Sequence, residues 1–490
     1  MPHVHRSIKH LIIYASIVLP KFIFAEKTLA VDSVQTATLD SVSLESLDLK
    51  LRIIERNLEI QAEETEKNKN ETATLTAGKE GFILTSADKE NQLKLKLLQQ
   101  VDGRFYFEDD ANKLTNTFLL RRARPILEGT VSRIYKFRFM PEFAGTVGIL
   151  DAFTEIAFNP NIRVRLGKSK TPFGLERFQS SQDLSLVEFA HPTSLTPNYD
   201  IGFSLLGSFQ EESYSYSIGI FNGAIDGTSR DLDANDDKDI IGKIFAEPFK
   251  TSSVDWAQHF GLGIAGSFGH KEGDVNSTET PTYKTKGQQT FFSFRSLADA
   301  PIKVVYDNIT KISKNTNAVL GDTGTVRAFG NGFRVNPQTY WYKGSFGLLA
   351  EYVAATQTYK KGGDNLESVQ DLTTTAWQIT ANYVFTGEPV SFKGVKPRHA
   401  LLGKEGGLGA FELALQVSKL DVDQNAFPIL ADPNKSALSA TTWSTGLNWY
   451  LSRNTKLMSE FSWTEFDGGA AQSQNRTEEK IALIRLQNSF

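Results

Sequence analysis

Cysteine is absent from this 490-residue chain. Its absence excludes disulfides, thiolate metal sites and a cysteine nucleophile. Histidine is scarce, and beyond the first residues only His191, His259, His270 and His399 remain. These four sit in unrelated contexts, so a histidine metal centre has little to be built from, and neither a metal nor a cofactor is expected. The chain has no G-x-S-x-G elbow and no H-E-x-x-H pair, and no other set of residues supplies a nucleophile with its base. An enzyme is therefore not expected. Also missing is any apolar run near the roughly 20 residues that a membrane-crossing helix needs, which argues against a helical membrane protein. The net charge of -4 gives no reason to expect a nucleic-acid partner.

What the chain does have is phenylalanine and glycine in quantity, with only 40% hydrophobic residues. A transmembrane β-barrel has this composition, because only one face of each strand meets lipid. The segment 1–25 reads as a signal peptide. Arg6 and Lys9 form a positive start, Leu11 to Pro20 a short apolar core, and Ile23-Phe24-Ala25 a cleavage site. Lys21 interrupts the core, and the alternative is a short membrane-anchoring helix. Residues 26–80 read as a periplasmic helical segment followed by a charged linker. Leu44, Leu47, Leu51, Ile54 and Leu58 form an a/d heptad seam. Such a short helix needs partners, either in a trimeric coiled coil or on its own protein. Ala62 to Glu80, rich in Glu, Lys, Asn and Thr, reads as solvated linker.

From Gly81 to Phe490 the period becomes two. Tyr135, Phe137 and Phe139 alternate with Lys136 and Arg138. Ile162, Val164 and Leu166 alternate with Arg163 and Arg165, and Phe260, Leu262 and Ile264 with Gly261, Gly263 and Ala265. Alternation alone also suits a soluble sandwich. Charges on the non-apolar face, strands of about ten residues, and short turns alternating with longer polar loops (226–239 and 270–286) favour a membrane barrel. The predicted fold is thus all-β: an antiparallel transmembrane barrel of roughly sixteen or seventeen strands over 81–490, closed because an open edge in lipid strands its backbone groups. A barrel of that size leaves an aqueous lumen. The last residue, Phe490, ends an amphipathic strand, as in bacterial outer-membrane barrels.

Two motifs have plain explanations. Gly261, Gly263 and Gly266 match G-x-G-x-x-G, but inside a strand with no following helix, so small residues on the inner wall account for them better than a dinucleotide site. Asp231, Asp233, Asn235 and Asp237 resemble the start of a calcium loop, yet its sixth and twelfth positions hold Asp236 and Gly242, which favours a solvated acidic loop. The informative charges are basic: Arg104, Arg121, Arg122, Arg124, Lys136, Arg138, Arg163, Arg165, Lys168 and Lys170. A charge facing lipid costs a few kcal/mol, so these belong in the lumen or at the rims. There they either attract anions or pair with Asp102, Glu128, Glu142, Asp151 and Glu155. A bulge near Pro125 would decide which way Arg121 points relative to Arg122.

At Phe118-Leu-Leu-Arg-Arg-Ala-Arg-Pro-Ile-Leu-Glu-Gly-Thr130 the sequence begins to resemble the phosphate-selective porin O and P family. The stretches Lys136–Phe143, Asp151–Phe153, Val164–Glu176, Leu195–Pro197, Asp200–Gly202 and Gly219–Gly223 continue the resemblance. Asn336–Tyr340 and Gly347–Tyr352 extend it more loosely. The resemblance implies a sixteen-stranded homotrimeric porin of the Gram-negative outer membrane, in contact with its lipid. It implies a constriction loop over about 171–200, carrying Arg177, Asp183, Glu188, Phe189 and Tyr199, and an arginine-rich path for small anions. The chain departs from the family at two places. Phe189 follows Glu188 where arginine is expected, and Tyr199 stands where arginine precedes Asp-Ile-Gly. Both exchange charge for aromatic surface at the eyelet. The resemblance therefore leaves three functions in play: an anion-preferring, phosphate-type porin, a general or sugar-type porin, and a structural or adhesin-like envelope barrel.

Overall fold

The computed structural model describes residues 44–78, 80–107, 115–232, 236–274, 276–296, 304–306, 313–315, 324–362, 368–403 and 406–490. The expected signal peptide, 1–25, lies outside the described residues, as do Asp233 and Asn235 of the acidic loop. The chain divides into two units, Met1–Lys67 and Asn68–Phe490.

Helix α1 runs over Leu44–Glu71. Its seam is uncovered in the single chain: Leu47, Leu51, Ile54 and Leu58 are 49%, 56%, 56% and 59% exposed. Pairs one turn apart, Arg52–Asp48 at 3.0 Å and Arg56–Glu59 at 2.9 Å, support the polar flank. The helix continues well into the stretch expected to be linker. Its Glu, Lys and Gln residues are good helix formers, and no Gly or Pro stops them before Gly78. The rest of that stretch is not linker either. Strands β1 (Thr74–Gly78) and β2 (Gly81–Thr85) form a hairpin, turned by Gly81 at φ 86°.

The wall of the second unit begins with β3 (Gln92–Tyr106), β4 (Thr117–Val131), β5 (Tyr135–Glu142), β6 (Gly148–Asn159) and β7 (Ile162–Lys170). It continues with β8 (Tyr199–Phe209), β9 (Tyr214–Phe221), β10 (Asp239–Ala246) and β11 (Phe260–Glu272). Two short hairpins outside the wall follow: β12 (Thr282–Lys284) with β13 (Thr290–Ser293), and β14 (Val304–Tyr306) with β15 (Ser313–Asn315). The wall resumes with β16 (Val326–Lys343), β17 (Phe346–Lys361), β18 (Ser368–Val384) and β19 (Ala410–Asp421), then β20 (Ala437–Tyr450), β21 (Thr455–Gly468) and β22 (Glu479–Ser489). Every wall strand pairs antiparallel with the next. β22 pairs back onto β3 from Ile481↔Tyr106 to Ser489↔Leu98, which closes a sixteen-stranded barrel. β3 outreaches β22, and its free start, Gln92–Leu95, takes β2. Phe490 ends the seam: its N–H donates to the Leu97 carbonyl at 3.1 Å, and its ring meets Phe82 edge-on at 6.0 Å.

The two faces of the wall are inverted relative to a soluble sandwich. On β20 and β21 the buried, inward residues are polar, such as Thr442, Ser444, Asn448, Glu460 and Ser462. The outward ones are Trp443, Leu447, Leu457 and Phe461, all exposed. Such a surface is stable only against hydrocarbon. Gly261 and Gly263 lie on the inner parity of β11, where a Cβ would strike the rings of Phe245 and Tyr340. That close approach explains these two glycines without a dinucleotide; Gly266, opposite Val335, has the outer parity and so does not line the inner wall as expected.

Turns at one end of the barrel are short, as at 132–134, 160–161 and 344–345. Longer segments leave the other end. Three connections fold into the lumen, where sequence points to only one. The first is 171–198, with α2 (Leu175–Phe178) and a 3-10 turn, His191–Leu195. The second, 276–296, buries Tyr283, Phe291, Phe292 and Phe294 against Phe427, Leu430 and Ala431 of 422–436. It is fixed by a buried Lys286–Glu460 pair at 2.7 Å. The third, 385–403, rises from the short-turn end and packs Val390 and Val395 on Tyr342 and Tyr450.

Candidate functional site

The basic residues are placed by the wall and their acids by facing strands. β4 carries a register shift: Arg122 faces Gln100 and Leu120 faces Val101, so Arg121 is the extra, bulged residue. The bulge sends both arginines inward. Arg121 donates to Glu188 of the inner loop at 2.7 and 3.1 Å, and buried Arg122 donates to Gln100 at 2.5 Å. Arg124 donates to Glu142 at 2.7 Å and to Ser181 at 3.3 Å. Arg104 reaches Glu188 at 3.4 Å. Arg138 bridges Glu128 and Asp151 at 2.8 and 2.9 Å. Glu155 holds Arg163 at 3.4 Å and Arg165 at 2.6 Å. Lys136 is exposed on the same inner parity, near the short-turn end. Lys168 does not join the track. It is buried, stands opposite Ala152 and pairs with Asp231. Most of the predicted cations are thus paired with acids: Arg124, Arg138, Arg163 and Arg165 with those of the wall, and Arg104, Arg121 and Lys168 with those of loops.

The inner loop carries four of the five residues expected at the constriction, Arg177, Asp183, Glu188 and Phe189, while Tyr199 opens β8; the loop's anchors cross the barrel. Glu351 of β17 accepts from the Leu175 N–H at 2.7 Å, Glu460 of β21 from the Val187 N–H at 2.7 Å, and Gln179 donates to the Phe392 carbonyl at 2.7 Å. Lys456, Asn448 and Arg485 donate to the loop carbonyls of Leu184, Ser185 and Val187. Arg485, fully buried, also makes a two-pronged pair with Asp102 at 2.7 Å on each prong. Sequence reasoning missed Arg485: only closure of the barrel brings it beside Asp102. The Glu188 carboxyl is costly to bury, but Arg121, Arg485 and Arg122 hold it well below the usual range. Tyr199 is buried with Ile126 and Met140, so it backs the constriction without facing it.

Among the cations around the loop, Arg122, Lys170, Arg177, Lys243 and Lys456 have no carboxylate within ion-pair distance among the described residues. Lys170 donates to the Arg177 and Gln179 carbonyls at 2.9 and 2.7 Å, and Arg177 to the Thr193 carbonyl at 2.7 Å. Each lies over an aromatic ring. Arg122 and Arg177 stand 5.8 and 4.7 Å from the centre of Phe189, Lys170 5.8 Å from Tyr199, and Lys243 4.9 Å from Phe178. Phe189 therefore adds no charge but sits beneath two guanidiniums that keep theirs. Lys243 was another omission. It lies on β10, between Ile241 and Phe245 on the inner parity, where neither charge nor motif marks it.

On the short-turn side of the loop lies a cavity of about 360 Å³, lined by Lys96, Asp183, Lys393, Lys396, Arg453 and Lys456, with Glu80 at its edge. Burial pushes the Asp183 carboxyl up to about 6, against the pull of Lys456, Lys396 and Lys393. No group of three metal-ligating side chains occurs among the described residues.

The profile of the phosphate-selective porin O and P family matches residues 92–490, the whole barrel wall. No curated protein sequence matches the chain significantly. Among solved structures, the outer membrane channel DcaP of Acinetobacter baumannii is similar at 10% identity and a TM-score of 0.49, over 85% of this chain and 100% of its own. The anion-selective porin from Comamonas acidovorans is similar at 12% identity and a TM-score of 0.46, over 82% and 100%. The trimer form of OmpT, an outer membrane protein of Vibrio cholerae, is similar at 9% identity and a TM-score of 0.47, over 82% and 99%. With its closed sixteen-stranded wall and a loop folded into the lumen, the chain belongs to the phosphate-selective porin O and P family of outer-membrane channels.

Proposed function

We propose that the protein is an anion-preferring diffusion channel of the Gram-negative outer membrane, exported through residues 1–25 and assembled as a homotrimer, with inorganic phosphate among the anions it passes. One observation carries the preference. Arg122, Lys170, Arg177, Lys243 and Lys456 surround the inner loop without carboxylate partners among the described residues, while Arg104, Arg121, Arg124, Arg138, Arg163 and Arg165 are matched by acids. A permeating ion feels the field of the unmatched charges, and cations in a narrow pore attract anions. The uncovered seam of α1 is the argument for association: side chains such as Leu51 and Ile54 become stable in water when buried against copies of themselves.

Single-channel recording in planar bilayers under a salt gradient tests the reading. The expected reversal potential has the anion sign and shrinks when phosphate replaces chloride. An absence of conductance rejects a channel altogether, and a cation-sign potential indifferent to phosphate rejects the anion preference. Deleting 40–69 is expected to weaken trimers on native gels. A second reading, a sugar-type pore, is favoured by a file of rings near the short-turn end. Phe245 lies 5.0 Å from Tyr340, which stacks on Phe392 at 5.4 Å. Sugar flux in liposome swelling that exceeds the flux of equally sized polar solutes would support it.

A further inference from the structure

We infer that the constriction selects flat organic anions, aromatic carboxylates above all, over compact anions such as acetate or inorganic phosphate. The inference rests on the anion preference proposed above and names the solute class that the same site takes.

The argument starts from two ring–cation units. In the first, Phe189 of the inner loop is half-buried, and the guanidiniums of Arg122 and Arg177 lie 5.8 and 4.7 Å from its centre. In the second, Phe178 is 44% exposed on a loop whose other large apolar side chains, Phe173, Leu175, Leu184, Leu186 and Val187, are buried. The Lys243 ammonium stands 4.9 Å from its centre. Neither ring is fully buried, and each stands beside positive charge that has no carboxylate partner among the described residues.

A compact anion uses only the charge, and arginine or lysine alone would serve it. An apolar face beside each cation is useful to a solute that has a flat apolar part beside its negative group. Arg177, the more exposed of the two guanidiniums, gives its Nε to the Thr196 hydroxyl and one terminal nitrogen to the Thr193 carbonyl, which leaves its other terminal nitrogen for a carboxylate. The solute's carboxylate can take that nitrogen while its ring covers Phe189 or Phe178 and leaves water. Acetate can do the first and not the second. Inorganic phosphate, more strongly hydrated and without an apolar face, loses water at Phe189 and gains nothing there.

The test is the permeability ratio of benzoate to acetate, read from reversal potentials in planar bilayers with each sodium salt on one side and chloride on the other. The whole protein is used, and its anion preference in KCl is measured first. The expected ratio is above one by about threefold, although benzoate is the larger and slower ion in water. Phe189→Leu, which keeps the bulk without the ring, is expected to bring the ratio to one or below. Phe189→Tyr is expected to preserve it. Heat-dependent gel mobility confirms that each barrel is folded. A wild-type ratio at or below one in a channel that prefers chloride over potassium overturns this inference and leaves the anion reading standing. So does a ratio that folded Phe189→Leu leaves unchanged. A channel that prefers potassium overturns both.

Discussion

Glu188→Gln isolates the charge balance of the constriction. Glu188 lies in the inner loop and faces three guanidiniums: Arg121 at 2.7 Å, Arg104 at 3.4 Å and Arg485 at 3.6 Å. Glutamine keeps the shape and one acceptor oxygen and removes one negative charge. A unit charge acts on an ion passing about 7 Å away with about 0.6 kcal/mol in water. Salt near 0.1 M cuts that roughly in half. Removing the negative charge lowers the energy of a passing anion and raises that of a cation by the same amount, so the two effects multiply in the ratio. The anion-to-cation permeability ratio should therefore rise by about three- to eightfold at 25 °C. Breaking a buried pair costs on the order of 3–5 kcal/mol, towards the lower end here because the amide still accepts one bond. A wall closed on itself by sixteen strands should survive that loss, and gel mobility before and after heating checks it. The assay is the reversal potential in a tenfold KCl gradient. A folded variant whose potential matches wild type would refute the reasoning, because Glu188 would then stand outside the field that the permeating ion feels.

Three further outcomes are expected. Asp183, raised to about 6 by burial, is anionic above that pH and neutral below it; acidifying from pH 7.5 to 5 should increase anion preference, and Asp183→Asn should hold the higher value at both, as titrated reversal potentials will tell. Lys286→Met leaves Glu460 buried without its countercharge, which should cost about 3–5 kcal/mol in urea unfolding and enlarge single-channel conductance as segment 276–296 loosens; conductance and stability both equal to wild type would count against that anchor. Phe461→Arg puts a charge on the lipid face of β21 and should cost about 2–4 kcal/mol when unfolding is followed in lipid vesicles, with no cost if that face meets water instead.

The barrel is legible in sequence wherever one face meets lipid, because alternation of period two then has to persist, as along β11 and β22. Legibility ends where burial is not set by lipid. Residues 62–80 are polar, and polarity alone does not separate a linker from a solvated helix followed by an exposed hairpin. The stretch 270–286 reads as a polar external loop, and only the fold reveals that Tyr283 and Lys286 are buried inside. The constriction is legible in its residue types through the family resemblance and less so in its electrostatics. The bulge at Arg121 breaks the parity that assigns side chains to lumen or lipid. Phe189, which reads as a lost charge, is the platform for Arg122 and Arg177. Arg485 is separated from Asp102 by 383 positions, so no local pattern could have joined them.

That separation has a consequence for how the channel comes into being. The joint between β3 and β22 is made by the first and last strands of the wall, so it forms only once the whole chain is present. The same joint bears part of the filter: Arg485 clasps Asp102 across it and holds the Val187 carbonyl, while Gln487 reaches Gln100 across it and the Gln182 carbonyl. A chain stalled before its final strand has a gap in its wall and has also lost part of the scaffold that positions Glu188 and Phe189. Completion of the last strand therefore closes the wall and assembles the supports of the inner loop in the same step.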